Sequence, residues 1–153
     1  MIDTGLRINE CLTLERSKID FDNLLLSAIG KGNKERIVPF SYELRKVLFK
    51  YAVSHRFELM FCTKSGCKVS YDNILRDFYL LFKKLEIKHD GVFHSFRRSF
   101  ATNYVRNGGN PLVLQRLLGH TPLQQTNVYI KLITEDLQKE KHRTSLLNRI
   151  RPC

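Results

Sequence analysis

Residues 23–40, "NLLLSAIGKGNKERIVPF", decide the kind of fold open to this chain. Two short apolar stretches, 24–29 and 36–40, flank a basic turn that contains glycine. Runs of that length around a Gly-containing turn predict an antiparallel β-hairpin, here with its tip at residues 31–34. Most of the remaining chain keeps a helical period, so this stretch separates an all-helical reading from a mixed one. The fold class that follows is α+β, mainly α: a helical domain with one small antiparallel sheet.

Upstream, "GLRINECLTLERSKID" (5–20) begins as a short amphipathic helix, with Leu6, Leu12 and Leu14 among its apolar positions. Downstream, Ser41 can cap a helix that places Leu44, Val47, Leu48 and Tyr51 on one face. A loop holding Cys62 and Cys67 comes next. Ser70 can then open a helix in which Ile74, Phe78, Leu81, Phe82 and Leu85 recur at helical spacing. "HSFRRSFAT" (94–102) starts a third helix, closed by Asn107, Gly108 and Gly109. Its Phe96, Phe100 and Ala101 ask for a core, while His94 and Arg97, at i and i+3, project from one side.

Asn110 and Pro111 suit the cap and first position of "PLVLQRLL", which Gly119 ends. "TPLQ" (121–124) has the form of a capping box opening "LQQTNVYIKL". A last polar helix, 134–148, carries Leu137, Leu146 and Leu147. That stripe is too thin for a well-buried core helix, so it is expected to pack on a neighbour, in its own molecule or another.

A chain of 153 residues suits one domain with a hydrophobic core. No apolar run approaches the ~18 residues that span a bilayer. "MIDTGLRINE" has neither the basic nor the apolar region of a secretory signal, so the cytoplasm is the expected compartment. The charge is the unusual feature: 26 Lys+Arg against 15 Asp+Glu, a net +11. Such a field attracts polyanions and displaces their counterions. "CTKSGC" has the spacing of half a zinc site, but no second ligand pair follows, and no metal is expected.

Several polar residues are not explained by periodicity: Arg7 and Glu10, Lys31 in the hairpin turn, His94 and Arg97, His120 after "LLG", and Tyr129 in "TNVYI". Each alone has an ordinary explanation: a surface ion pair, a solvated turn lysine, a capping histidine, a core tyrosine. Together they are the parts for phosphoryl transfer without a metal. Two arginines can neutralise the charge that gathers on non-bridging phosphate oxygens. A tyrosine, with a pKa of about 10, needs a base, and a histidine can serve. A leaving sugar oxygen needs a proton, which a turn lysine can supply.

The ordered set of stretches resembles the tyrosine recombinase (phage integrase) family. "TGLRINEC" is similar to its first-arginine motif and "GKGNKERIVPF" to the hairpin that carries its catalytic lysine. "HSFRRSFAT" resembles its His-x-x-Arg motif, "LLGH" its second-histidine motif and "TNVY" its nucleophile motif. The resemblance implies that Tyr129 attacks the scissile phosphate, giving a 3′-phosphotyrosine and a free 5′-hydroxyl. It gives Arg7 and Arg97 the non-bridging oxygens, Lys31 the leaving oxygen, His94 the tyrosine proton and His120 a phosphate hydrogen bond. Glu10 takes the supporting acidic position. Arg98 stands where the family often has histidine, and Lys34, Arg36 and Arg98 are expected to contact the DNA.

The implied partners are double-stranded DNA and further copies of the chain, in a tetramer on the DNA linked through the C-terminal helix. No cofactor and no membrane enter, and the place of action is the cytoplasm, at the nucleoid. Family members carry an N-terminal DNA-clamping domain and further helices before the first arginine, whereas Arg7 lies almost at the start. Residues 1–153 are therefore expected to be the catalytic domain without those parts. A second reading is a truncated remnant, catalytically weak or inactive, that binds DNA or a full-length partner. A basic helical module without chemistry would have to treat five ordered motifs as coincidence.

Overall fold

The structure is a computed structural model that describes residues 1–30, 32–88 and 91–119. The elements in order are α1 (Ile8–Leu12), a 3₁₀ turn (Arg16–Lys18), β1 (Ile19–Asp20), β2 (Leu25–Ile29) and β3 (Glu35–Pro39), followed by α2 (Tyr42–Ala52), α3 (Tyr71–Lys84), α4 (Val92–Arg106) and α5 (Pro111–Leu118). The mixed, mainly helical class holds.

The hairpin forms where expected, with Ser27 opposite Ile37 and Ala28 opposite Arg36. The left-handed conformations of Gly32 and Asn33 turn the chain at its tip, where the Gly30 amide donates to the Lys34 carbonyl. A third strand, β1, extends the sheet antiparallel to β2 and was not anticipated. It is two residues long, too short to show an alternation. Its exit is set by Asp20, whose Oδ1 accepts the amides of Asp22 and Asn23 and so turns the chain toward β2.

Period-2 alternation sends Leu26, Ala28 and Val38 to one face of the sheet, where they pack with Leu14, Phe40, Leu48, Ala52 and Met60. Ser41 caps α2 by accepting the Leu44 amide, as its position suggested. The core face of α2 is narrower than the sequence indicates. Leu48 and Ala52 are buried and Leu44 partly so, but Val47 is 66% exposed and Tyr51 also faces outward. One sheet covers one line of an 11-residue helix, and Val47 lies beside that line.

A second cluster joins α3 to the start of α4 through Phe82, Val92 and Phe93, with Ile74, Phe78 and Phe96 against them. Leu81 and Leu85, expected in that stripe, are exposed. A third cluster, Ala101, Leu114 and Leu118, packs α4 on α5. Asn110 caps α5 by accepting the Leu112 amide, and Gly119 ends it in the left-handed conformation. Among the described residues no helix is long and apolar enough to cross a membrane.

Candidate active site

The stripe of α4 that faces the interior is Phe93, Arg97 and Ala101, each four residues from the next. An arginine thus occupies the middle of a core face, and it is only 7% exposed. Phe96 and Phe100, expected to be the buried residues, are partly exposed instead. His94 and Arg97 share a side in sequence spacing but differ in depth, because His94 is exposed.

A buried guanidinium needs partners for its N–H groups. Arg97 donates from one terminal nitrogen to the Gly5 carbonyl and from the other to the Leu118 carbonyl, both at 2.5 Å. These bonds tie the chain start and the end of α5 to the middle of α4. Gly5 makes the approach possible. Its φ is +64°, and a Cβ there would lie 2.5 Å from the Phe100 ring.

Two residues after Gly5, Arg7 approaches the same end of α5, with a terminal nitrogen 3.4 Å from the Gly119 carbonyl. Arg36 reaches it from the sheet, its Nε donating to the Leu117 carbonyl at 2.8 Å. Three guanidinium groups therefore meet three successive carbonyls, those of Leu117, Leu118 and Gly119. The last turn of a helix leaves its carbonyls without amide partners and carries the negative end of the helix dipole, so it is a natural place to gather cations. The next residue in the chain is His120.

Glu10 is the anion of this corner, with a side chain only 3% exposed. Its Oε2 accepts the Arg7 backbone amide at 2.7 Å and an Arg36 terminal nitrogen at 2.7 Å. Its Oε1 accepts the Arg7 side chain at 3.0 Å and the other Arg36 terminal nitrogen at 2.8 Å. Burial pushes the Glu10 carboxyl upward, but the hydrogen bonds of Arg36 and Arg7 and the charge of Arg36 outweigh it and hold the pKa below 4.5.

Of the residues singled out in the sequence, Arg7, Glu10 and Arg97 come together at this corner. Lys34 is exposed at the hairpin turn. Arg98 is exposed and lines a shallow groove with Ser95, Ser99, Thr102 and Arg106. Arg36, expected as a DNA contact, turns its side chain inward onto Glu10 and Leu117. Strand parity carried that information: Arg36, Val38 and Phe40 alternate onto one face, and the other two are apolar. Lys31, His120, Tyr129 and the expected C-terminal helix at 134–148 lie outside the described residues.

The chain belongs to a known family. Residues 1–135 match the model of the phage integrase family, and the chain is a member of it. It is 36% identical over 141 residues to the tyrosine recombinase XerA of Saccharolobus solfataricus, covering 92% of this chain and 46% of that protein. It is 34% identical over 146 residues to the tyrosine recombinase XerC of Chlamydia muridarum, covering 91% of this chain and 46% of that protein. The chain thus spans about half the length of the curated relatives it matches. Among solved structures, the crystal structure of XerA recombinase superposes with a TM-score of 0.78 at 29% identity, over 99% of this chain and 56% of that one.

Proposed function

We propose that residues 1–153 act as the catalytic domain of a site-specific DNA recombinase, cutting and rejoining double-stranded DNA through Tyr129. The observation that carries this reading is the convergence of Arg7 and Arg97, ninety positions apart, on the end of α5 immediately before His120. Two fixed cations at one corner, with a histidine next in the sequence, suit a phosphodiester whose non-bridging oxygens gain charge.

The Tyr129 oxygen attacks phosphorus and the bond to the 5′-oxygen breaks. The phosphoryl group passes to tyrosine as a 3′-phosphotyrosine. The tyrosine proton goes to His94, and Lys31 gives a proton to the departing 5′-oxygen. His120 donates a hydrogen bond to the phosphate. A 5′-hydroxyl of another strand reverses the step, so the covalent link conserves the bond and no nucleotide cofactor is consumed. The net +11 charge favours DNA as the polyanion. Assembly of several copies on the DNA through residues 134–148, and action at the nucleoid, complete the proposal.

Supercoiled plasmid incubated in EDTA tests it without knowledge of the target sequence, because a reversible nick lets the strands rotate. Relaxation and an SDS-resistant protein–DNA adduct are expected with the parent and not with Tyr129→Phe, whose DNA affinity should be unchanged. An adduct that persists in Tyr129→Phe overturns the nucleophile. Activity that disappears with chelator and returns with Mg²⁺ overturns the mechanism. DNA binding without relaxation or adduct in the parent would favour the inactive-remnant reading.

A further inference from the structure

We propose that Arg36 is a positioning residue for Arg7: it fixes Glu10 from the sheet side, and Glu10 in turn fixes the backbone and guanidinium of Arg7. The proposal rests on the recombinase reading only in taking Arg7 as the arginine that meets the phosphate.

The geometry is a shared carboxylate. Each Glu10 oxygen takes one bond from Arg36 and one from Arg7, with donor–acceptor distances of 2.7 to 3.0 Å. Arg36 supplies a two-pronged fork, the arrangement that fixes a carboxylate in both plane and direction. Its third bond, Nε to the Leu117 carbonyl, prevents the fork from following Glu10 if that side chain moves. Arg36 is the more deeply set of the two cations, its side chain 13% exposed against 37% for Arg7.

The surroundings hold Arg36 in that pose. A Cβ added at Gly30 would lie 3.3 Å from a terminal nitrogen of Arg36, and one at Gly119 would lie 3.3 Å from its Cδ. Glycine on both sides lets the hairpin and the end of α5 close on the guanidinium. The consequence for Arg7 follows from electrostatics. A carboxylate this deeply buried cannot stay ionised on one half-exposed arginine alone, so loss of Arg36 forces Glu10 to take up a proton or to swing out. Protonation weakens the hold on the Arg7 amide and side chain by removing the carboxylate charge, and swinging out releases both. Among the described residues, the charged and titratable groups that act on Glu10 are Arg7 at the N-cap of α1, Arg36 on β3 and the neighbouring thiol of Cys11.

Two measurements test this, and only one needs catalysis. The first is hydrogen exchange at the Arg7 backbone amide, read by NMR in the parent, Arg36→Met and Arg36→Lys. Exchange should quicken about tenfold or more in Arg36→Met and less in Arg36→Lys, with amides in the middle of α2 unchanged. Should Arg36→Met fail to fold, Arg36→Lys still decides, because it keeps the charge but loses the fork. Parental exchange at Arg7 in every folded variant overturns the proposal.

The second measurement is adduct formation on plasmid. Arg36→Met should form adduct about tenfold to a hundredfold more slowly, the cost of a displaced catalytic group, with DNA affinity within about threefold of the parent. In an Arg7→Ala background the same change should cost less than about threefold, because both residues act through one contact. Independent, multiplying losses overturn it, as does a loss of DNA affinity with no loss of cleavage rate. A parent that forms no adduct counts against the recombinase reading alone, while amide exchange still decides the role of Arg36.

Discussion

Two regions of this molecule bury side chains to a similar depth by different means. Between the sheet and α2, Leu26, Val38, Phe40, Leu48 and Met60 pack without directional requirements. At the corner where α1, β3, α4 and α5 meet, Glu10, Arg36 and Arg97 are buried or nearly so, and each depends on named atoms of another residue. The apolar layer tolerates a substitution in proportion to the volume it changes. The polar corner loses the compensation of a buried charge when any one partner goes. The first region is a support; the second keeps cations at fixed positions, which a phosphate-handling site requires.

The sharpest way to break this contrast is Arg97→Ala. Cleavage should fall on the order of 10²–10³-fold, as for loss of one oxyanion donor. Stability should fall as well, because the Gly5 and Leu118 carbonyls lose a donor. Single-turnover adduct formation within a few-fold of the parent would remove Arg97 from the chemistry.

A substitution in the apolar layer should show the opposite profile. Leu26→Ala, at a position 2% exposed, should cost about 2–5 kcal/mol of folding stability by urea titration. Adduct formed per folded molecule should stay at the parental level. A fall in the rate of the folded protein would show that the sheet core does more than support the corner.

The smallest effect is a dependence on acid. The Glu10 carboxyl is held below 4.5 in the folded protein, so its ion pairs contribute fully above that pH. The contribution is lost as the pH falls from 4.5 through the depressed folded value. Urea midpoints of the parent and Glu10→Gln should therefore differ near neutrality and converge in acid. A gap that stays constant down to the acid limit would mean that Glu10 is not the ionised partner of Arg36 and Arg7.

Much of the fold was legible because its signals are local. Ser41, Asn110 with Pro111, and Gly119 mark helix ends by hydrogen bonds and backbone conformations that span a few residues. The hairpin declared itself through two short apolar runs around a turn. What escaped was geometry that local pattern does not encode. Val47 satisfies the helical period but lies beside the line that the sheet covers, and β1 is too short to alternate. Arg36 looked like one more basic residue of a basic turn, although its strand parity pointed inward.

The sequence by itself determined most of the described elements, the net positive charge and the identity of the candidate chemical groups, because each is written in residue type and short-range spacing. Only the tertiary structure decided which cations are buried and what holds them. Arg36 meets Leu117 across 81 positions and Arg97 meets Gly5 across 92. Such pairings depend on how separate elements pack. The physical reason is desolvation: a guanidinium or carboxylate accepts burial only where a full set of partners converges, and convergence is a property of the folded chain.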